Sequence, residues 1–226
     1  MKHATRTPAF ASVALLLAAT LTACSNAPRT PDWQIEAKGA LDRTIAAYLT
    51  GNTRVEQAEA ARARQQLAST GRADWMAAAE LRQCAARVAS LVWESCAGFD
   101  TLRQDATPAQ RAYADYLRGQ VSAAAIALLP PSQRAAAART DADGSALQGM
   151  EDPLSLLVAA GVLLQTGKAN PAIIEQAVNA ASEQGWRRPL LAWLGVQLQR
   201  ARQAGQTVEA DRISRRIALV QGSGAH

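Results

Sequence analysis

The stretch DPLSLLVAAGVLLQTGKANP, residues 152–171, holds one whole helical unit and the start of the next. Asp152-Pro153 sets a capping carboxylate before a proline. The first residue satisfies free backbone N–H groups, and the proline fits the first helical position, where its missing N–H costs nothing. From Leu154 to Leu164 the chain is apolar almost all round, which predicts a central, buried helix. Gly167 ends it, and Asn170-Pro171 opens the next unit by the same device.

The same punctuation recurs along the chain. Thr30-Pro31 and Thr107-Pro108 are further cap-proline starts, and Thr107 to Gln110 has the spacing of a capping box. Gly51, Gly71, Gly98, Gly185 and Gly205 are candidate stops. Between them the apolar residues fall at helical spacing: Trp33, Ala37, Leu41, Ile45 and Tyr48; Trp75, Ala78, Leu81, Ala85, Val88 and Val92; Leu190, Leu194, Leu198 and Ala201; Ile213, Ile217 and Val220. The pattern predicts helices near 31–49, 53–69, 72–92, 108–128, 132–139, 153–166, 171–184, 187–204 and 207–220. Alanine is abundant and β-branched runs are lacking, so no strand is needed. The fold class expected is all-α, built of antiparallel helical hairpins over 31–220. Residues 140–151 (TDADGSALQGME) are the expected internal loop or linker, and 221–226 a disordered tail.

Two segments suggest an internal repeat. YLTGN at 48–52 and YLRGQ at 116–120 lie 68 residues apart, twice a 34-residue period. Near the C-terminus, AWLGVQLQRARQAGQTVEADRISRRIAL resembles a worn tetratricopeptide unit, with Trp193, Leu194-Gly195, Gly205 at the turn and Ala210 in the second helix. The Leu-Gly pair comes early, the gap to Gly205 is long, and no proline closes the unit. A tetratricopeptide-like array and an irregular helical bundle both remain open.

The N-terminus carries the clearest motif. Lys2 and Arg6 precede an uncharged apolar run, the layout of an export signal. That run ends in Leu21-Thr22-Ala23-Cys24, which resembles the lipobox of bacterial lipoproteins. The resemblance covers residues 1–24 and implies cleavage before Cys24, with diacylglycerol on its thiol and a further acyl chain on the new amino group. Several acyl chains, at about 0.8 kcal/mol per buried methylene, anchor a protein stably where one does not. Residues 24–30 then form a lipidated tether. Ser25 stands where an Asp would resemble an inner-membrane retention signal, so the expected location is the periplasmic face of the outer membrane.

Without that signal, the 24 Lys and Arg less Lys2 and Arg6 stand against 19 Asp and Glu, about +3. This is no nucleic-acid signature. Cys84 and Cys96 are then the remaining thiols. In an oxidising compartment a disulfide is the default, with a buried free thiol as the alternative. Twelve residues of unbroken helix would hold them about 18 Å apart, so a bridge requires the helix to end by Val92 or Trp93 and the chain to turn back.

Histidine occurs only at positions 3 and 226, which removes histidine-based triads and zinc sites from the folded part. Asp141, Asp143, Ser145 and Asp152 have the spacing of calcium-loop ligands, but Gly144 is misplaced for the turn, so a solvated acidic loop is expected and no metal is assigned. Carboxylate neighbours such as Glu151/Asp152 and Glu209/Asp211 read as exposed helix charges. Arg187, Arg188, Arg212, Arg215 and Arg216 are candidate contacts for an acidic partner, because arginine forks suit carboxylate and phosphate. Trp33 and Trp75 read as anchors of helix starts in the core.

These features predict no catalytic site, no cofactor and no enzyme. The function expected is that of an outer-membrane lipoprotein, a helical scaffold or adaptor that binds another envelope protein. Two alternatives are a peptidoglycan-directed envelope enzyme and a lipid- or lipopolysaccharide-binding lipoprotein.

Overall fold

The computed structural model describes residues 30–139 and 145–223. The described residues fall almost wholly in one compact unit, which begins at Trp33. Leu21 to Cys24 and the chain on to Arg29 lie outside the described residues.

The described chain is helical, with no strand. The helices are α1 (Asp32–Thr50), α2 (Thr53–Ala68), α3 (Ala73–Ala89), α4 (Ala97–Asp100), α5 (Pro108–Leu117), α6 (Pro131–Ala138), α7 (Pro153–Gln165), α8 (Pro171–Glu183), α9 (Arg187–Gln203) and α10 (Thr207–Gly222), with 3-10 turns at Ala123–Leu128 and Ser145–Leu147. Three of the four predicted cap-proline starts act as the sequence predicts, while α1 begins at Asp32, one residue past Pro31. Thr107 and Gln110 form a reciprocal capping box. Asp152 accepts from the Ser155 N–H and Asn170 from the Ile173 N–H.

The helix ends share one device. After α1, α5, α7, α8 and α9, a glycine N–H bonds the carbonyl three residues back, and the next N–H reaches five back; Gly51 and Asn52, on Tyr48 and Ala47, are one such pair. This is the Schellman stop, which needs a left-handed residue. At the end of α3 that residue is Leu91, at φ 59°, with the same two bonds to Val88 and Arg87. Two expectations change here. Gly119 stops α5 at Leu117, so the predicted helix 108–128 is an α-helix followed by a separate 3-10 turn. Gly98 is no stop; it lies inside the short helix α4.

α7 is the central helix. Leu157, Val158, Ala159, Ala160 and Leu163 are all buried. It packs against α3, α6 and α8, and α8, α9 and α10 follow as neighbours packed one on the next. Their joins are three to five residues long, so adjacent helices run antiparallel. At the other end, Ala37, Ala40 and Leu41 of α1 share a cluster with Ala63 and Leu67 of α2 and Ala79 of α3. The middle of the chain, 97–147, is made of shorter pieces. The arrangement is a bundle of helical hairpins in which YLTGN and YLRGQ close helices of unlike length, α1 with 19 residues and α5 with 10.

The contact between α3 and α7 is set by a glycine. A Cβ on Gly161 would stand 2.5 Å from the Val88 carbonyl oxygen, a backbone atom that cannot swing aside. Gly161→Ala is expected to destabilise the domain by about 1–2 kcal/mol in a urea titration. The overpacking cost of roughly 1–3 kcal/mol outweighs alanine's helix preference of about 1 kcal/mol. An unchanged midpoint would contradict this packing.

In the segment read as a linker, residues 140–144 lie outside the described residues. The rest is a packed connection, since Leu147 is buried in the main core and Met150 packs against it. The predicted tail also begins later: Gln221 and Gly222 belong to α10, and 224–226 lie outside the described residues. No described helix is long and apolar enough to cross a membrane.

Candidate functional site

An apolar recess, lined by two tryptophans, forms a trough between α1 and α3. Trp33, Ala37 and Leu41 line one wall at four-residue spacing, so they share one helix face. Trp75, Ala78 and Ala79 line the other, with Leu67 of α2 between. The trough holds about 480 Å³. The Trp33 and Trp75 rings meet at one end, with centroids 5.0 Å apart and planes tilted by 50°, within the distance at which aromatic rings attract. On the other side of α3, Ala78, Leu81, Ala109, Tyr113, Leu128 and Pro130 line a second recess of about 330 Å³. The two share Ala78, Arg82 and Gln110. Together they make an apolar surface along α3, lined largely by alanine, leucine and aromatic side chains.

Lys38, Arg82, Asp74 and Gln110, which line the trough, are bonded within the chain; Gln34 lines it as well. Asp42 accepts from Lys38 Nζ at 2.7 Å and from Arg82 at 2.9 Å. Burial pushes its carboxyl up, but these two hydrogen bonds and their charges outweigh burial and hold it below the usual carboxylate range. Asp74 takes a two-pronged contact from Arg72, at 2.9 and 2.7 Å, which likewise holds its carboxyl low. The same guanidinium lies over the Trp75 ring, 5.1 Å from its centroid. Gln110 donates to the Asp74 carbonyl and accepts from the Thr107 N–H. In each ion pair the cation is the outer partner. Lys38, Arg82 and Arg72 side chains are 75%, 47% and 55% exposed, against 41% for Asp42 and 31% for Asp74.

Cys84 and Cys96 lie at disulfide distance, with 5.8 Å between their Cα atoms. α3 ends at Ala89, and the Leu91 stop turns the chain back toward α4, as a bridge requires. Beside them is a smaller recess of about 220 Å³ that also touches Glu80 and Arg64. Glu80, 7% exposed, accepts from Arg64 at 2.6 and 3.1 Å. The bond to Glu80 raises the Arg64 guanidinium further. Gly98 leaves room for this carboxylate, since a Cβ there would meet Glu80 Oε2 at 2.2 Å.

The chain matches no family model, no curated protein and no solved structure. Its site is therefore described by its own geometry.

The predicted arginine contacts divide into two kinds. Arg187 donates to the carbonyls of Val220 and Gln221 at the end of α10. Arg188 binds Glu56 at 3.2 Å and Thr53 at 2.9 Å, and lies 4.2 Å from the Tyr48 ring centroid. Both hold the fold together, with α9 fastened to α1, α2 and α10. Arg212 pairs with Glu209 at 2.7 Å, on the outer helix α10, where Arg215 is exposed and Arg216 half-buried. Cys24 lies outside the described residues, as do Asp141 and Asp143; Asp152 serves as the cap of α7.

Trp33 and Trp75 do anchor helix starts, but only half-buried, and they also wall the trough. Sequence reasoning missed that second role. The available signal was Trp33-x3-Ala37-x3-Leu41 beside Trp75-x3-Ala79, two matched faces with small residues opposite each other.

Proposed function

We propose that this chain is a lipoprotein anchored through Cys24 to the periplasmic face of the outer membrane, and that its helical domain is an adaptor that binds another envelope protein. The observation that carries the reading is the apolar surface along α3, from the Trp33–Trp75 pair to Tyr113 and Leu128. A surface of alanine, leucine and aromatic side chains, whose charged groups are paired with each other, suits a protein face better than a small polar substrate. Residues 24–30 form a tether of about 20 Å when extended, so a client would be met close to the membrane. The carboxylate best buried, Glu80, is neutralised by Arg64 and gives no support to an acid–base pair.

The test is crosslinking of intact cells of the native bacterium with the tagged chain and with Cys24→Ser, which cannot be lipidated. The expected result is one envelope protein recovered with the wild type and reduced several-fold with Cys24→Ser. Recovery of no specific protein from either would contradict the adaptor reading. Equal recovery from both would separate binding from the anchor.

A further inference from the structure

We propose that the trough between α1 and α3 takes an amphipathic helix with an acidic flank. This rests on the adaptor reading and names the chemistry of the client segment. Three observations carry it. First, the trough is walled by two helices at four-residue spacing over about 12 Å, the groove into which a further helix packs its side chains. Its walls carry alanines, and Ala78 is exposed on the α3 wall, so a partner backbone can come close. Second, Asp42, Asp74 and Gln110 are engaged within the chain. The trough therefore rewards an apolar stripe and offers little to a sugar or a free ion. Third, the ion pairs at its edge show their cations outward, with Lys38 at 75%, Arg72 at 55% and Arg82 at 47% exposure. A helix whose leucines enter the trough sets its flanks against these cations, and acidic flanks complement them.

The probes are two synthetic helices of about four turns, each with leucines at i, i+4, i+7 and i+11, one flanked by Glu and the other by Lys. Binding to the full chain is read from tryptophan fluorescence and by calorimetry. The Glu-flanked peptide is expected to bind at least about tenfold more tightly than the Lys-flanked one, and that preference is expected to fall with salt. Ala78→Arg obstructs the trough from an exposed helix position, so the fold is retained, and binding is expected to drop at least about tenfold. Lys38→Glu is expected to erase the preference for the acidic peptide. The proposal is overturned if neither peptide binds, if both bind alike, or if Ala78→Arg binds as the wild type does. It is also overturned if the trough is filled by a single-chain lysophospholipid below its micelle threshold, or by a second copy in a dimer that Ala78→Arg dissolves. Failure of the adaptor reading is distinct: a client crosslinked in cells that Ala78→Arg leaves attached preserves the adaptor and removes this trough as its site.

Discussion

Trp193→Ala is expected to cost about 3–5 kcal/mol, a large fraction of the 5–15 kcal/mol that holds a typical domain folded. Trp193 is fully buried, and its indole N–H donates to the Ala89 carbonyl at 3.0 Å. It thus fastens α9 to the end of α3, across more than a hundred residues of sequence. Removing it leaves a cavity and takes the indole donor from the Ala89 carbonyl. Trp193→Phe restores much of the volume and loses the hydrogen bond, so a smaller loss of about 1–2 kcal/mol is expected. Urea unfolding of both variants separates the two contributions. A Trp193→Ala midpoint close to that of the wild type would show that α9 does not depend on this anchor.

The second large effect concerns Cys84 and Cys96. A bridge between residues separated by 12 in sequence removes loop-closure entropy from the unfolded chain, worth about 3 kcal/mol in that model. Reductant is expected to lower the stability of the wild type by that amount and to leave a Cys84→Ala/Cys96→Ala variant unmoved. The loss centres on the turn from α3 to α4, where Gly98 makes room for Glu80 and where Leu91 holds a left-handed conformation without being glycine. A wild-type midpoint indifferent to reductant would mean free thiols, the alternative the sequence leaves open.

How much of the fold could be read in advance depends on the kind of signal. Thr107, Asp152 and Asn170 are local devices, in which a side chain bonds a backbone group three residues on, and such devices show in the sequence. The glycine stops are local as well. Gly119 is a stop of the same local kind, since YLRGQ has the pattern of YLTGN, whose Gly51 ends α1; the alanines that follow it keep a helical composition and hide the break. Leu91 is different in kind. No local preference marks a leucine for a left-handed turn, and the requirement comes from tertiary contacts, chiefly Cys96 and Phe99 packing back on α3. Arg187 and Arg188, expected as contacts for an acidic partner, bind within the fold, and the sequence does not show it because their partners are distant: Glu56 lies 132 residues from Arg188. The trough needed both helices at once. Each Trp alone reads as a core anchor; only the pairing of Trp33 with Trp75 makes a walled recess.

The central claim is that this recess meets a client at the membrane. The most direct measurement places a photocrosslinking amino acid at position 78 of the chain in its native bacterium, with Cys24 intact and as Cys24→Ser. Position 202, exposed on α9, is the control. The account predicts one envelope protein joined to position 78, strongly reduced without the lipid anchor, and no such adduct from position 202. No adduct from position 78, or the same adducts from both positions, would contradict it.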